Sequence, residues 1–276
     1  MAAWRRGVAR GLLYAALVGG AVLMAVPFAW MLVTSVKEPS QVFTDPIRWI
    51  PDPVRWQNYV DAWQAAPFAR YFLNSAVVAV VTTLGQLTVS AMAAYAFARL
   101  DFYGREALFA VFVGTMMIPE PLRLVPNFLV LSRLRWIDTY LALTVPWMIS
   151  VFSIFLLRQF FLTIPQELED AASVDGCPRW VFLTRILVPL ARPAVLTAGL
   201  FTFIGSWNAF LWPLIVTNRE NMRPIQVGVA TFFQEYGTVP NLAMAASTMA
   251  VAPVLVLFFG VQRQFIEGII RTGLRG

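Results

Sequence analysis

Glu120 and Arg123 stand three residues apart in an otherwise apolar stretch punctuated by Pro119, Pro121 and Pro126. At that spacing a carboxylate and a guanidinium share one helix face and can pair if the helix survives the prolines. An ionisable group at membrane depth is costly unless it is paired or faces water. Two readings of the pair stand: it lines a polar path beside a broken helix, or it is a structural pair near a helix end. Gln86 supplies a mid-helix amide able to hydrogen-bond a hydroxyl-rich ligand. Asn208, beside Trp207, is a second amide that either caps a helix or meets a solute. These four residues are the candidates for a solute path.

Composition removes most other chemistry. The 276 residues include no histidine and one cysteine, Cys177. The commonest general base, His-based metal sites, intrachain disulfides and multi-cysteine clusters are thereby excluded. There is no Gly-Lys pair, so the chain carries no P-loop for a nucleotide. The expectation is a protein with no catalytic residue, no metal site and no cofactor of its own. An intramembrane enzyme is the weakest reading, since Glu120 has no second acid beside it.

The elements that must position these groups are membrane helices. The chain is 59% hydrophobic and 13% charged, with a mean hydropathy of +0.67, too apolar for an ordinary water-soluble domain. Several stretches approach the ~20 residues needed to cross ~30 Å of hydrocarbon. The pattern predicts an all-α membrane protein, one domain over 1–276 with its core over 70–265. Six transmembrane helices are expected near 11–36, 71–98, 107–131, 141–161, 189–216 and 242–261. The proline-dense segment 37–70 reads as an external loop with a short amphipathic helix around 56–63.

Six spans put both termini on one side. The basic start, Arg5, Arg6 and Arg10, precedes an apolar run too long for a signal peptide and reads as an uncleaved first span with a cytoplasmic N-terminus. Twelve of the 21 Lys and Arg residues then fall inside and nine outside, a modest bias of the expected sign. The basic residues are scattered between apolar spans without a stripe, which argues against nucleic acid and suits helix ends that meet lipid headgroups.

The longest internal loop, 163–188, carries the most information. Thr163 with Gln166 fits a capping box, and Pro165 is tolerated in a first helical turn. Glu167, Glu169 and Asp170 complement the helix dipole. Leu168, Ala171, Ala172 and Asp175 recur at helical spacing, and the paired alanines allow close approach by another surface. Gly176 sits where a helix end needs positive φ. Pro178 can open a second short helix whose apolar surface comes from Trp180, Val181 and Leu183. The product is a helix-turn-helix elbow, longer than the ~2–8 residues that connect helices in a bundle.

This loop resembles the EAA signature of permease subunits of type I, binding-protein-dependent ABC importers. The match runs Asp170-Ala171-Ala172, Gly176, Ile186, Val188 and Pro189, with Asp in place of Glu and Val in place of Leu. Asn74-Ser75, Ala98-Arg99-Leu100, Gly104-Arg105, Met117-Ile118-Pro119, Trp207-Asn208 and the tail from Gln262-Arg263 through Gly268 to Arg275-Gly276 are similar to the carbohydrate-uptake branch. The resemblance implies that the elbow is a coupling helix docking on an ATPase subunit through Glu169, Asp170, Ala171, Ala172, Gly176, Pro178, Trp180, Ile186 and Pro189. It leaves open whether Asp170 or Glu169 is the leading acid.

It further implies a second permease subunit as heterodimer partner, two ATPase subunits that hold ATP and Mg, and an extracytoplasmic solute-binding protein. That protein would meet the 217–240 segment through Arg219, Arg223, Glu235 and Tyr236. The bacterial inner membrane and a sugar or sugar-like solute follow from the same resemblance. A glycerol phosphate or another polar solute is the alternative, because Arg123 can favour an anion. A secondary carrier without an ATPase is the rival class.

Overall fold

The computed structural model describes the backbone of residues 2–236 and 239–273, and the side chains of residues 10–235, 239–260 and 262. Arg5 and Arg6, the side chain of Tyr236 and the tail residues Arg263, Gly268, Arg275 and Gly276 lie outside the side chains so described. The described residues form helices and connections, with no strand. In chain order the helices are α1 (Ala2–Ser35), α2 (Gln57–Ala65), α3 (Phe68–Arg99), α4 (Arg105–Gly114), α5 (Glu120–Arg133), α6 (Tyr140–Thr144) and α7 (Val151–Leu162). They continue as α8 (Glu167–Val174), α9 (Arg179–Val181), α10 (Val188–Leu190), α11 (Arg192–Trp207), α12 (Leu211–Val216), α13 (Ile225–Tyr236) and α14 (Pro240–Gly273).

Where the apolar stretches stay continuous depends on how their prolines are grouped. Single prolines sit inside α1 (Pro27) and α14 (Pro253) without ending them, as membrane helices allow. Together with α3, which contains no proline, these two supply helices long and apolar enough to cross a bilayer. Clustered prolines act differently. Ile118, before Pro119, is extended at φ −80°, ψ 112°, because the ring of a following proline excludes helical backbone. The expected single span over 107–131 is therefore bent by 100° between Arg105–Met117 and Glu120–Arg133.

Two more bent pairs follow, Tyr140–Trp147 with Val151–Leu162 at 41° and Arg179–Leu190 with Arg192–Trp207 at 84°. Counting each bent pair as one crossing gives as many as six. The fifth expected span is further divided, because the helix stops at Trp207 and restarts at Leu211 after Phe210 leaves the helical region at φ −120°, ψ −59°. The 217–240 connector contains a helix of its own, α13.

The chain forms two compact units, Met1–Phe68 with Val229–Ala252 and Ala69–Gly228 with Pro253–Gly276. In the first, the apolar window of α1 buries nothing within the chain, so its surface is left to lipid or another subunit. The proline-dense loop after it is ordered by Asn58, fully buried, whose amide donates to Ser35 O (2.9 Å) and Lys37 O (2.8 Å).

The second unit holds two apolar cores. One gathers Phe97, Phe109, Leu157, Phe161, Phe182 and Leu187 around the elbow. The other joins Val78, Leu131, Leu143, Trp212 and Val216 and is pinned by Trp212 Nε1 donating to Ala142 O (2.9 Å). Small residues let helices close on α3. A Cβ added at Gly85 would meet Met148 at 2.7 Å, and one at Gly199 would meet Leu87 at 3.2 Å, as expected where packing rather than hydrophobic exclusion joins helices in lipid.

Lys37, the only lysine, is fully buried. Its Nζ lies 4.3 Å from the centre of the Trp30 ring and has no hydrogen-bond acceptor among the described residues. Burial lowers its pKa from the ordinary 10.5. The folded state thus binds fewer protons than the unfolded chain between that lowered value and 10.5, and stability rises with pH across the window. Lys37→Met should raise the melting temperature of the detergent-solubilised protein at neutral pH and flatten this rise. Melting curves of both proteins between neutral pH and pH 11 measure it.

Candidate functional site

The elbow is built from the end of α7 to α10. Glu167, Glu169 and Asp170 occupy the first turn of α8, where carboxylates complement the helix dipole. The capping box expected of Thr163 and Gln166 does not form. Thr163 Oγ1 donates to Phe160 O (2.7 Å), while Gln166, at the N-cap, makes no capping bond and gives its Oε1 to Arg99 Nη1. A charge-assisted bond to a guanidinium is stronger than a neutral cap.

At the other end Gly176 has φ +73°, which L side chains rarely adopt. Its N–H donates to Ser173 O (3.1 Å) and that of Cys177 to Ala172 O (2.8 Å), the two bonds of a Schellman ending. Pro178 stands at the N-cap of α9. A π-helical segment, Phe182–Leu187, then turns Phe182, Leu183 and Leu187 into the core.

Adjacent acids differ in burial. Glu169 points into the chain, with Tyr95 Oη donating to its Oε1 (2.8 Å) and Arg99 Nε 3.9 Å from its Oε2. Asp170 is exposed. The paired alanines also divide: Ala172 is buried in the core and Ala171 is exposed. Ile186 packs against that core, whereas Pro178 and Pro189 are exposed. The exposed residues of the elbow include apolar ones, Leu168 at 43%, Val174 at 88% and Trp180 at 59%, beside the charged Glu167, Asp170 and Asp175.

Sequence reasoning named Arg99 only within the family-like stretch Ala98-Arg99-Leu100, without a role, and did not single out Tyr95. The Arg99 side chain is 4% exposed. Besides Gln166, its guanidinium reaches Phe161 O (2.8 Å) and Ile164 O through Nη2. Tyr95, Arg99, Gln166, Glu169, Ser173 and Arg179 line a cavity of about 310 Å³ beside the elbow. The available signal was an arginine ending a long apolar helix, one turn after a tyrosine.

The solute-path candidates are not brought together. Gln86 is buried, and its Nε2 donates to Ser153 Oγ (2.8 Å) and Thr202 Oγ1, tying α3 to α7 and α11. Glu120 and Arg123 form no ion pair among the described residues: the break at Pro119 makes Glu120 the first residue of α5, and both side chains are exposed. Asn208 is exposed at the break between α11 and α12, with Gln226 Nε2 donating to its Oδ1 (3.3 Å). Its neighbour Trp207 is buried against Phe72 and Phe203 rather than held at an interface.

The far end of α3 holds another loop in place. Asn74 Nδ2 donates to Asn221 O (2.9 Å) and Arg223 O (3.0 Å), and Tyr71 Oη to Glu220 Oε1 (3.1 Å). Asp138 Oδ1 accepts the N–H groups of Asn218 (2.6 Å) and Arg219 (2.8 Å). Arg219 is exposed on this tethered loop and Arg223 half-buried. Glu235 is exposed on α13 and belongs to the other compact unit; Tyr236 has no described side chain.

An all-helical chain with three bent membrane helices and an exposed Schellman-ended elbow has the form of a transport subunit. The family model for the binding-protein-dependent transport system inner membrane component matches residues 86–271, and the chain belongs to that family. It is thus an inner-membrane transport component of ABC importers, not an enzyme subunit. It is 35% identical to the sn-glycerol-3-phosphate transport system permease protein UgpE of Yersinia pestis, over 92% of this chain and 93% of that one. It is 30% identical to the arabinooligosaccharides transport system permease protein AraQ of Halalkalibacterium halodurans, over 93% of each.

Among solved structures, a chain of a bacterial ABC transporter involved in the import of the acidic polysaccharide alginate superposes with a TM-score of 0.83. Identity is 22%, and coverage is 92% of this chain and 96% of that one. A chain of the alginate transporter in complex with an alginate pentasaccharide-bound periplasmic protein gives 0.65 at 17% identity, covering 94% and 97%.

Gln86 yields a measurable distinction between packing and solute contact. Gln86→Leu should lower stability by about 1 kcal/mol, the scale of hydrogen bonds between membrane helices, and leave the half-saturating solute concentration for uptake unchanged. Thermal unfolding in detergent and uptake titration check the two halves.

Proposed function

We propose that this chain is the membrane-spanning subunit of an ATP-driven importer for a sugar or sugar-like solute, coupling an ATPase pair to alternating access through the 163–188 elbow. In this reading six crossings place both termini and the elbow in the cytoplasm. A second permease completes the membrane pathway, two ATPase subunits hold ATP and Mg, and an external binding protein delivers solute to the tethered loop bearing Arg219 and Arg223. The names of the relatives, for arabinooligosaccharides and for sn-glycerol-3-phosphate, support small hydroxyl-rich solutes.

One observation carries the coupling assignment. On α8 and α9 the apolar residues Leu168, Val174 and Trp180 are exposed along with Asp170, and exposed large apolar side chains of this kind mark protein interaction sites. The Schellman ending at Gly176 and the inward turn of Phe182 fix the elbow's shape. A short rigid helix with the exposed acids Glu167 and Asp170 can seat in a complementary groove and transmit displacement.

Arg123 favours a second reading, an anionic solute, because it is exposed and makes no ion pair among the described residues. Competition for uptake between a neutral oligosaccharide and glycerol 3-phosphate distinguishes the two.

The elbow is tested at its turn. Proline fixes φ near −65° and has no N–H, so Gly176→Pro loses both the positive φ and the bond to Ser173. In the reconstituted importer this variant should hydrolyse ATP while uptake falls by on the order of tenfold or more. Gly176→Asn, which tolerates the left-handed region, should retain most uptake. Normal solute accumulation by the proline variant would overturn the assignment.

A further inference from the structure

We infer that Arg99 is the positioning residue that joins the elbow to α3, so that displacement of α8 is delivered to that helix first. The inference rests on the elbow being the ATPase-docking element and names which span it drives. Arg99 is the last residue of α3. Its guanidinium holds two carbonyls at the end of α7, Phe161 O and Ile164 O, together with the Gln166 side chain at the N-cap of α8. One turn earlier, Tyr95 holds Glu169 on α8. The last turn of α3 therefore grips the elbow at two points, Gln166 and Glu169, while Asp170 and Val174 are exposed.

The joint is fully engaged on one side and incomplete on the other. Arg99 Nε and Glu169 Oε2 face each other at 3.9 Å, and neither has a hydrogen-bond partner among the described residues. Both atoms are buried beside a cavity of about 310 Å³. A buried charged pair left short of contact is costly, and a small shift of α8 toward α3 would close it. The pair at 3.9 Å, beside the cavity, has room in which to shorten when α8 moves. Lysine cannot replace the arginine, because its ammonium is a point charge without the planar fork that spans carbonyls, amide and carboxylate.

The experiment uses the complete importer in proteoliposomes, with its ATPase subunits, second permease and binding protein, and reads solute transported per ATP hydrolysed. Arg99→Ala and Arg99→Lys should both retain the ATPase subunits and hydrolysis while the ratio falls on the order of tenfold. A purely structural role would lower complex yield, uptake and hydrolysis together and leave the ratio at the wild-type value; that outcome overturns the inference. Should Arg99→Ala fail to assemble, Tyr95→Phe removes one hydroxyl from the same joint. A fall of about two- to threefold in the ratio is expected for it, and an unchanged ratio overturns the inference equally. Wild-type chain that never retains an ATPase subunit would instead defeat the docking reading on which the joint depends.

Discussion

A bilayer offers no water to a backbone N–H or C=O, so every peptide group at membrane depth must find its partner within the protein. The three bent helices of this chain meet that demand locally. Thr115 Oγ1 donates to Phe112 O where α4 ends, Ser150 Oγ accepts the Ser153 N–H where α7 begins, and the Ala191 N–H reaches Leu187 O between α10 and α11. At the first two bends a short hydroxyl reaches the backbone beside the bend; at the third, main-chain bonding alone does so. The interruption between α11 and α12 likewise leaves Asn208 exposed, so the same constraint that limits the fold also decides where polar groups can face an aqueous path.

Much of the fold was legible in the sequence because hydrophobic length is a direct readout of the solvent. The first and second apolar runs, 11–36 and 71–98, fall within α1 and α3. The amphipathic segment near 56–63 corresponds to α2, and Gly176 stands where only a positive φ ends the helix. The bends were not legible in the same way. Hydropathy averages over a window and is blind to direction, so Pro119 and Pro121 marked a weakness in the third run without revealing a 100° turn. The division of the fifth run after Asn208 had its signal in Pro213, in the first turn of α12, whose ring excludes a helical carbonyl four residues earlier.

The elbow shows the same boundary more finely. Spacing identified it, and its positive-φ glycine and proline-led second helix are where spacing placed them. Spacing along one chain could not reveal which of two neighbouring acids faces a residue seventy positions away. Glu169 is committed by Tyr95 and Arg99, which leaves Asp170 outward, and that choice depends on the register of α3 against α8. Likewise the capping box failed because a guanidinium distant in sequence claimed the Gln166 side chain. Local motifs predict local geometry; competition from long-range charge decides which local bonds survive.

Helix α3 is grasped at both ends, by Arg99 and Tyr95 at the elbow and by Tyr71, Asn74 and Ser75 at the loop around 220–225. Its 32 residues make it a connecting rod roughly 48 Å long, at about 1.5 Å per residue. Lacking any proline, it has no hinge in which to absorb a push. A displacement entering at one membrane face would arrive at the other without passing through Glu120, Arg123 or Asn208. In the proposed reading such a rod would set the elbow apart from Glu120, Arg123 and Asn208, and each could then change in evolution without disturbing the other.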